Sequence, residues 1–123
     1  SFEATKNALF SNKNIYWILG GHPKKDDFFN IKDLKKNIIK AYIIGKDTSF
    51  FEKQIKNKIP YIVSGDLKNA IKNIYNDVKL KKNIKATILL SPAAASYDQF
   101  KNFEERGKYF KSLIKKNKKI LYV

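Results

Sequence analysis

The strongest constraint on the fold of this chain is a regular alternation between short apolar runs and helical patterns. Five apolar runs have the length and composition of buried strands, at 14–21, 41–45, 60–63, 86–90 and 120–123. Helical patterns precede or separate them, at 2–10, 31–39, 48–58, 66–80 and 97–116. Strands that alternate with helices predict an α/β fold with a parallel sheet covered on both faces by helices.

The helix predicted at 66–80 shows the pattern most clearly. Its apolar residues follow the spacing i, i+3, i+4, i+7 and i+11, which forms one stripe: Leu67, Ala70, Ile71, Ile74 and Val78. The chain has 123 residues, of which 43% are hydrophobic, so it can bury a core of its own. We therefore expect one domain over residues 1–123.

Two loops are candidate binding segments because each follows a predicted strand. In open α/β sheets, ligands bind beyond the carboxyl ends of the strands. The first loop, 20–27, has two glycines and then two lysines, and Lys24 is well placed to hold a carboxylate or phosphate. The alternative is a polar turn with helix-capping aspartates. His22 is expected to be solvent-exposed, and neither a P-loop nor a G-x-G-x-x-G pattern is present.

The second loop, 91–96, is rich in small residues. Ser91 and Pro92 are expected to end the strand, and three alanines follow. Ser96 lies where the helix predicted at 97–116 should begin, and free amides at a helix N-terminus attract anions. The alternative is that Ser96 is an ordinary N-cap, and it could also serve both as a cap and as a ligand-binding residue. Within that helix, Phe100, Phe103 and Phe110 share one side, which indicates core packing.

The net charge of +15 raises the question of a polyanionic partner. All but one of the 26 cationic residues are lysine, and Arg106, expected in surface ion pairs, is the exception. Nucleic-acid readers usually use arginine, and the lysines are scattered along the chain. A solvated surface is therefore the favoured interpretation, and a polyanion-binding face is the alternative.

Several function classes are excluded or disfavoured by composition. The chain has no cysteine and one histidine, which excludes disulfides, thiolate metal sites and a histidine-rich metal site. No apolar run approaches the roughly 20 residues of a membrane span, and the N-terminus lacks a signal-peptide pattern. We expect a soluble, cytoplasmic protein.

Two separated motifs resemble one family. The stretches "ILGGHPKKDDF" (18–28) and "LLSPAAASYDQFKNFEERGKYF" (89–110) closely resemble the C-terminal domain of the D-glutamate-adding branch of the Mur ligases. The family patterns are L-G-G-x-x-K-x-x-D-F and L-L-S-P-A-x-A-S-x-D-Q-F-x-x-F-x-x-R-G. The second pattern is long and specific, and the resemblance covers essentially the whole chain. It implies a Rossmann-like three-layer α/β sandwich, with a mostly parallel sheet of about five to six strands and one antiparallel edge strand.

The resemblance also implies a function. Such ligases use ATP and Mg²⁺ to join D-glutamate to UDP-N-acetylmuramoyl-L-alanine, a step in peptidoglycan precursor synthesis. The residues that match D-glutamate-binding positions are Lys24, Ser96, Tyr97 and Phe103. The N-terminal UDP-binding domain and the central ATPase domain, which mainly binds ATP and Mg²⁺, are absent from this sequence. We therefore expect a monomeric domain that is inactive alone and has no catalytic or metal-binding residue of its own.

Two alternatives to this function stay open. One is a small basic α/β module that binds nucleic acid or another polyanion, although nucleic acid is not the expected partner. The other is a different Mur-type or folylpolyglutamate-type ligase domain with another amino-acid substrate. The S-P-A-x-A-S-x-D-Q-F stretch favours the D-glutamate-adding branch.

Overall fold

The protein is a five-stranded sheet with helices on both faces. The computed structural model describes residues 2–21, 29–81, 84–93, 100, 102–114 and 118–123, without the side chains of residues 92, 93 and 103. The strands are β1 (Ile15–Gly20), β2 (Ile38–Ile44), β3 (Tyr61–Gly65), β4 (Thr87–Ala93) and β5 (Lys119–Tyr122). The helices are α1 (Phe2–Ser11), α2 (Thr48–Ile55), α3 (Leu67–Val78) and α4 (Phe103–Leu113). The predicted α/β class and all five predicted strands are confirmed.

The strand order is β3-β2-β1-β4-β5, and every strand pair in the described part of the chain is parallel. The expectation of one antiparallel edge strand is therefore wrong. Both edge strands, β3 and β5, run with their neighbours because helices α2 and α4 lead the chain back across the sheet before each one begins. A helical crossover returns the chain to the same end of the sheet, and the next strand must then run parallel.

Two hydrophobic layers fill the space between the sheet and its helices. One layer packs α1 and α2 on the sheet around the fully buried Trp17. The other packs α3 and α4 around Tyr16 and Tyr42. The predicted stripe of α3 is confirmed, since Leu67, Ala70, Ile71 and Ile74 are all buried. All six residues of β1 are buried, which fits its place in the middle of the sheet.

Two predicted helices differ from the structure. The segment 31–39 contains only a turn and a short 3-10 helix, Lys35–Asn37, and β2 already begins at Ile38. The β-branched Ile38 pairs with Ile15 in the sheet, a long-range contact that overrides the local helical pattern. The last helix begins at Phe103 and not at residue 97, because Asn102 caps its first turn and Phe100 is not helical.

Candidate functional site at the β1–β4 crevice

The centre of the sheet contains a topological switch point. The chain passes from β1 outward through β2 to β3, and then returns to place β4 on the other side of β1. At the carboxyl edge, Gly20 of β1 lies opposite Ala93 of β4. The loops that follow β1 and β4 therefore leave neighbouring strands at one place, about 5 Å apart. Crevices of this kind are where open α/β sheets bind ligands.

Glycine is required at the end of β1 by a close backbone approach. Gly20 has φ +151°, and a Cβ atom there would lie 2.0 Å from the carbonyl oxygen of Ile44 on β2. Gly45, which follows β2, has φ +92°, and a Cβ atom on it would lie 3.5 Å from the amide nitrogen of Gly21. The ends of β1 and β2 are thus packed backbone to backbone, which leaves the edge of the crevice free of side chains at these positions.

The end of β4 is a β-bulge. The pairing runs from Ile18 with Leu90 to Gly20 with Ala93, so β4 contains one extra residue at this point. The expectation that Ser91 and Pro92 end the ladder is therefore wrong. A bulge accommodates Pro92 because proline has no N–H to donate to the ladder, and the strand resumes at Ala93.

Buried polar groups hold the bulge in place. The indole Nε1 of Trp17 donates to the carbonyl oxygen of Ser91 at 3.1 Å. The hydroxyl groups of Ser91 and Thr5 are hydrogen-bonded to each other, and both residues are about 1% exposed. The bulge thus has its freed backbone and side-chain groups satisfied from β1 and from α1.

Aromatic residues secure the far ends of both loops. Phe29, directly after the first loop, is buried and stacks on Phe2 with a centroid distance of 4.7 Å. The ring of Trp17 meets Phe29 edge-on at 6.0 Å. After the second loop, the half-buried Phe100 lies 5.3 Å from the ring of Tyr109. The described aromatic residues that follow the two loops are therefore held in ring contacts with the rest of the fold.

The predicted site residues fall mainly on the loops themselves. Lys24, Ser96 and Tyr97, like His22, lie outside the described residues. Phe103 is the first residue of α4, and its side chain also lies outside them. What the structure does bring together is the pair of strand ends from which these loops depart, at Gly20 and Ala93.

The amino terminus of α4 is capped by Asn102, whereas the sequence predicted that this helix begins directly after Ser96. The side chain of Asn102 accepts a hydrogen bond from the Glu105 amide at 2.9 Å, which uses one of the free donors of the first turn. Glu104 and Glu105 place negative charge in that turn. The cap and these acidic side chains stabilise the first turn of α4, since negative charge at this end offsets the helix dipole.

Arg106 is a buried residue, whereas the sequence analysis placed it at the surface. It is 6% exposed, and its Nε donates to the hydroxyl of Tyr122 at 3.2 Å. A Cβ atom on Gly107 would lie 3.1 Å from the same ring, so the Arg-Gly pair sets how closely α4 packs on β5. The sequence signal was the R-G end of the second motif, but the partner ring lies on a strand that only the fold brings near.

A second polar cluster, which the sequence analysis did not predict, lies between strand β2 and helix α3. Tyr42 donates to Asp77 at 2.7 Å, and Lys40 contacts the same carboxylate oxygen at 2.9 Å. Burial, followed by the bond to Asp77, raises the pKa of Tyr42 far above its usual value of 10.0. Burial and the nearby Asp77 charge also raise the pKa of Tyr16. Lys40 and Tyr42 on β2 thus bind Asp77 on α3, and the cluster stabilises the packing of this helix on the sheet.

The described residues carry neither a metal-binding cluster nor a membrane-spanning helix. They contain no group of three or more histidine, cysteine or acidic side chains that could hold a metal ion. Within the same ranges, no helix combines the length and apolar character needed to cross a bilayer.

Sequence comparison gives the chain clear relatives, although no family model matches it. Each relative cited here is a protein named UDP-N-acetylmuramoylalanine--D-glutamate ligase. The one from Wolbachia of Brugia malayi is 40% identical over 114 residues, which is 93% of this chain and 23% of that protein. Those from Nitrobacter hamburgensis and Rhizobium meliloti are 39% and 40% identical over 92% and 88% of this chain. The chain spans about a quarter of the length of the curated relatives it matches.

Proposed function

We propose that this chain, a homologue of a domain-sized segment of the UDP-N-acetylmuramoylalanine--D-glutamate ligases, is the domain with which such a ligase binds D-glutamate. In this proposal it is the C-terminal domain of a cytoplasmic, monomeric enzyme of peptidoglycan precursor synthesis. The rest of the ligase binds ATP, Mg²⁺ and UDP-N-acetylmuramoyl-L-alanine. The described residues of this chain offer no metal-binding cluster, and its sequence has no P-loop, so no step through ATP or Mg²⁺ is assigned to it.

The observation that carries the proposal is the pairing of Gly20 with Ala93. Lys24 and Ser96 follow these two positions closely in the sequence, so the loops that carry them both start at the same end of the crevice. Had β1 and β4 been separated by other strands, one small ligand could not have reached both loops. The ring contacts of Phe29 and Phe100 support the same proposal, because they hold in place the residues that follow each loop.

The proposed chemistry is the binding and orientation of a small dianion. D-Glutamate carries two carboxylates, and the Lys24 ammonium would pair with one of them as a point charge. The Ser96 hydroxyl would donate a hydrogen bond to a carboxylate, with Tyr97 and Phe103 bordering the pocket. Held in this way, the amine of D-glutamate would face the activated carboxyl of the UDP-linked substrate. Proximity and orientation are then the contribution of this domain to the rate.

The test is steady-state kinetics of the full-length ligase that carries this domain, with D-glutamate as the varied substrate. Lys24→Ala and Ser96→Ala should each raise the KM for D-glutamate or lower kcat, changing kcat/KM by roughly 10- to 100-fold, because each removes a hydrogen bond to a charged group. Lys25→Ala is the matched control, since it removes the same charge from the next position. Thermal melting should show that all three variants are folded.

Unchanged kinetics in both Lys24→Ala and Ser96→Ala would refute the proposal. So would a loss in the Lys25→Ala control equal to that in Lys24→Ala, because the effect would then be one of loop charge alone. Turnover of another amino acid in preference to D-glutamate would favour a different amino-acid-adding ligase.

A further inference from the structure

The edge of the sheet opposite the candidate site carries a concentrated positive charge. Because all five strands are parallel, the segments that enter them meet at one edge, called here the amino edge. Each entering segment contains at least one lysine and, among its described residues, no acidic one: 10–14, 35–37, 56–60, 79–81 with 84–86, and 118–119. Lysines that are scattered along the sequence are thus gathered by the topology.

Contacts between the segments make the amino edge one continuous surface. The side-chain amide of Asn37, before β2, donates to the carbonyl of Leu9 near the end of α1 at 3.0 Å. The ammonium of Lys119, at the start of β5, donates to the side chain of Asn12 at 2.6 Å. The segments entering β1, β2 and β5 are therefore held together, and β4 enters beside β1.

Large apolar side chains are exposed on the same edge. Leu80, between α3 and β4, is 82% exposed, and Ile84 in the same connection is 40% exposed. Phe10, near the end of α1, is 71% exposed. In the connection from α3 to β4, Lys79, Lys81 and Lys85 alternate with these apolar residues and are themselves exposed. Lysines near helix ends offset the helix dipole, but that role does not account for uncovered leucine, isoleucine and phenylalanine.

We propose that the amino edge binds the surface of a bilayer that contains anionic phospholipid. Lysine ammonium groups are attracted to anionic headgroups, and exposed leucine and phenylalanine insert at the boundary with the acyl chains. Nucleic acid is the weaker fit, because the sequence has a single arginine, Arg106, and its side chain is buried against β5. The surface therefore presents lysine charge and apolar area without the planar arginine donors that read base edges.

The proposal does not depend on the binding of D-glutamate. The amino edge is separated from the β1–β4 crevice by the length of β1, a strand of six residues, or about 20 Å. A domain attached to a bilayer by its amino edge would keep its carboxyl edge toward the solvent. Binding of the bilayer and binding of a small ligand can then occur together.

The experiment is sedimentation of the 123-residue chain with vesicles of neutral phosphatidylcholine, or of phosphatidylcholine with 30 mol% phosphatidylglycerol (about a third anionic lipid). Binding should require the anionic lipid and weaken as salt is raised from about 50 to 500 mM. Lys81→Ser with Lys85→Ser should raise the half-saturating lipid concentration roughly 30-fold, the factor expected for two surface lysines. Lys46→Ser with Lys68→Ser removes equal charge from exposed positions after β2 and β3, and should have much less effect.

Leu80→Ser separates lipid insertion from charge attraction. It should weaken vesicle binding several-fold, and it should leave the salt dependence unchanged because no charge is altered. Three outcomes would overturn the proposal: no binding to anionic vesicles, equal losses in the two lysine double variants, or binding that is insensitive to Leu80→Ser. Tighter binding to a DNA oligonucleotide than to vesicles would instead assign the surface to nucleic acid.

Discussion

Replacing Gly20 by alanine tests the packing that forms the crevice. At this position the new methyl group would lie 2.0 Å from the carbonyl oxygen and 2.8 Å from the carbonyl carbon of Ile44. Both atoms belong to the backbone of β2, so no rotamer change can relieve the contact. Gly20 also has φ +151°, a conformation that side-chain-bearing residues rarely adopt. Alanine therefore adds a steric cost to a conformational cost.

The magnitude follows from these two contributions. The conformational cost is about 1–2 kcal/mol, and overpacking against fixed backbone adds about 1–3 kcal/mol. The free energy of unfolding should fall by about 2–5 kcal/mol. For a domain of this size each kcal/mol lowers Tm by roughly 4 °C, which predicts a decrease of about 8–20 °C.

Gly65→Ala is the matched control. Gly65 ends β3 with φ +85°, but a Cβ atom there would meet nothing within 4 Å. It should cost the conformational contribution alone, about 1–2 kcal/mol, and lower Tm by about 4–8 °C. Differential scanning calorimetry of both variants gives the comparison. If Gly20→Ala melts within about 2 °C of Gly65→Ala, the close approach of β1 and β2 is not a constraint on this edge.

Three further variants test separate parts of the structure. Tyr42→Phe should lower the free energy of unfolding by about 1–2 kcal/mol at neutral pH, because Asp77 loses one donor. Since the folded-state pKa of Tyr42 lies above 10.0, Tyr42 ionises first in the unfolded chain, and the native protein should lose stability as pH rises above about 10. Chemical denaturation between about pH 9 and 11.5 should show a smaller loss of unfolding free energy with pH in Tyr42→Phe than in the parent. Equal pH dependence of the unfolding free energy in the two proteins would contradict the assignment. Asn102→Ala should destabilise α4 by about 1 kcal/mol through loss of its cap, with Asn102→Asp retaining most of the stability, and equal urea midpoints for the alanine variant and the parent would contradict this. Thr5→Val should cost about 1–3 kcal/mol because it leaves a buried hydroxyl under the β4 bulge without its partner, whereas Thr5→Ser keeps the hydroxyl; the reverse order of Tm values would show that the methyl group matters more.

The sequence allowed the strands and α3 to be predicted because their patterns are local. A run such as 15–20 is apolar throughout and can only be buried, and the stripe of α3 recurs at helical spacing. The helix predicted at 31–39 was wrong for a physical reason. Its apolar residues fit a helix as well as they fit a strand, and only the pairing of Ile38 with Ile15, far away in the chain, decides between them.

The direction of the edge strands could not be predicted from their residues. Whether β5 runs parallel or antiparallel depends on where α4 returns the chain, and not on the composition of Lys119–Tyr122. The burial of Arg106 could not be predicted either, because an arginine on a polar helix face is expected to be exposed unless the position of Tyr122 is known. Long-range geometry, and not residue type, determines both.

The candidate site was predictable to the level of its loops. Glycines after one apolar run and small residues after another indicate strand ends with open space, and the rule for open sheets then selects them. No local sequence pattern specifies the order of strands in the sheet, so the pairing of Gly20 with Ala93 is known only from the structure. The roles of Lys24, Ser96, Tyr97 and Phe103 stay predictions.

The central position of β1 has a consequence for how the protein folds. Within this chain β1 precedes β2 and β3, yet one of its two neighbours, β4, follows only after β2, β3 and α3. Closing such a long loop is entropically costly and slows folding, so one flank of β1 stays unpaired until β4 has been synthesised. Truncated translation products that stop before β4 would expose that flank, which makes them targets for chaperones and proteases before any crevice exists.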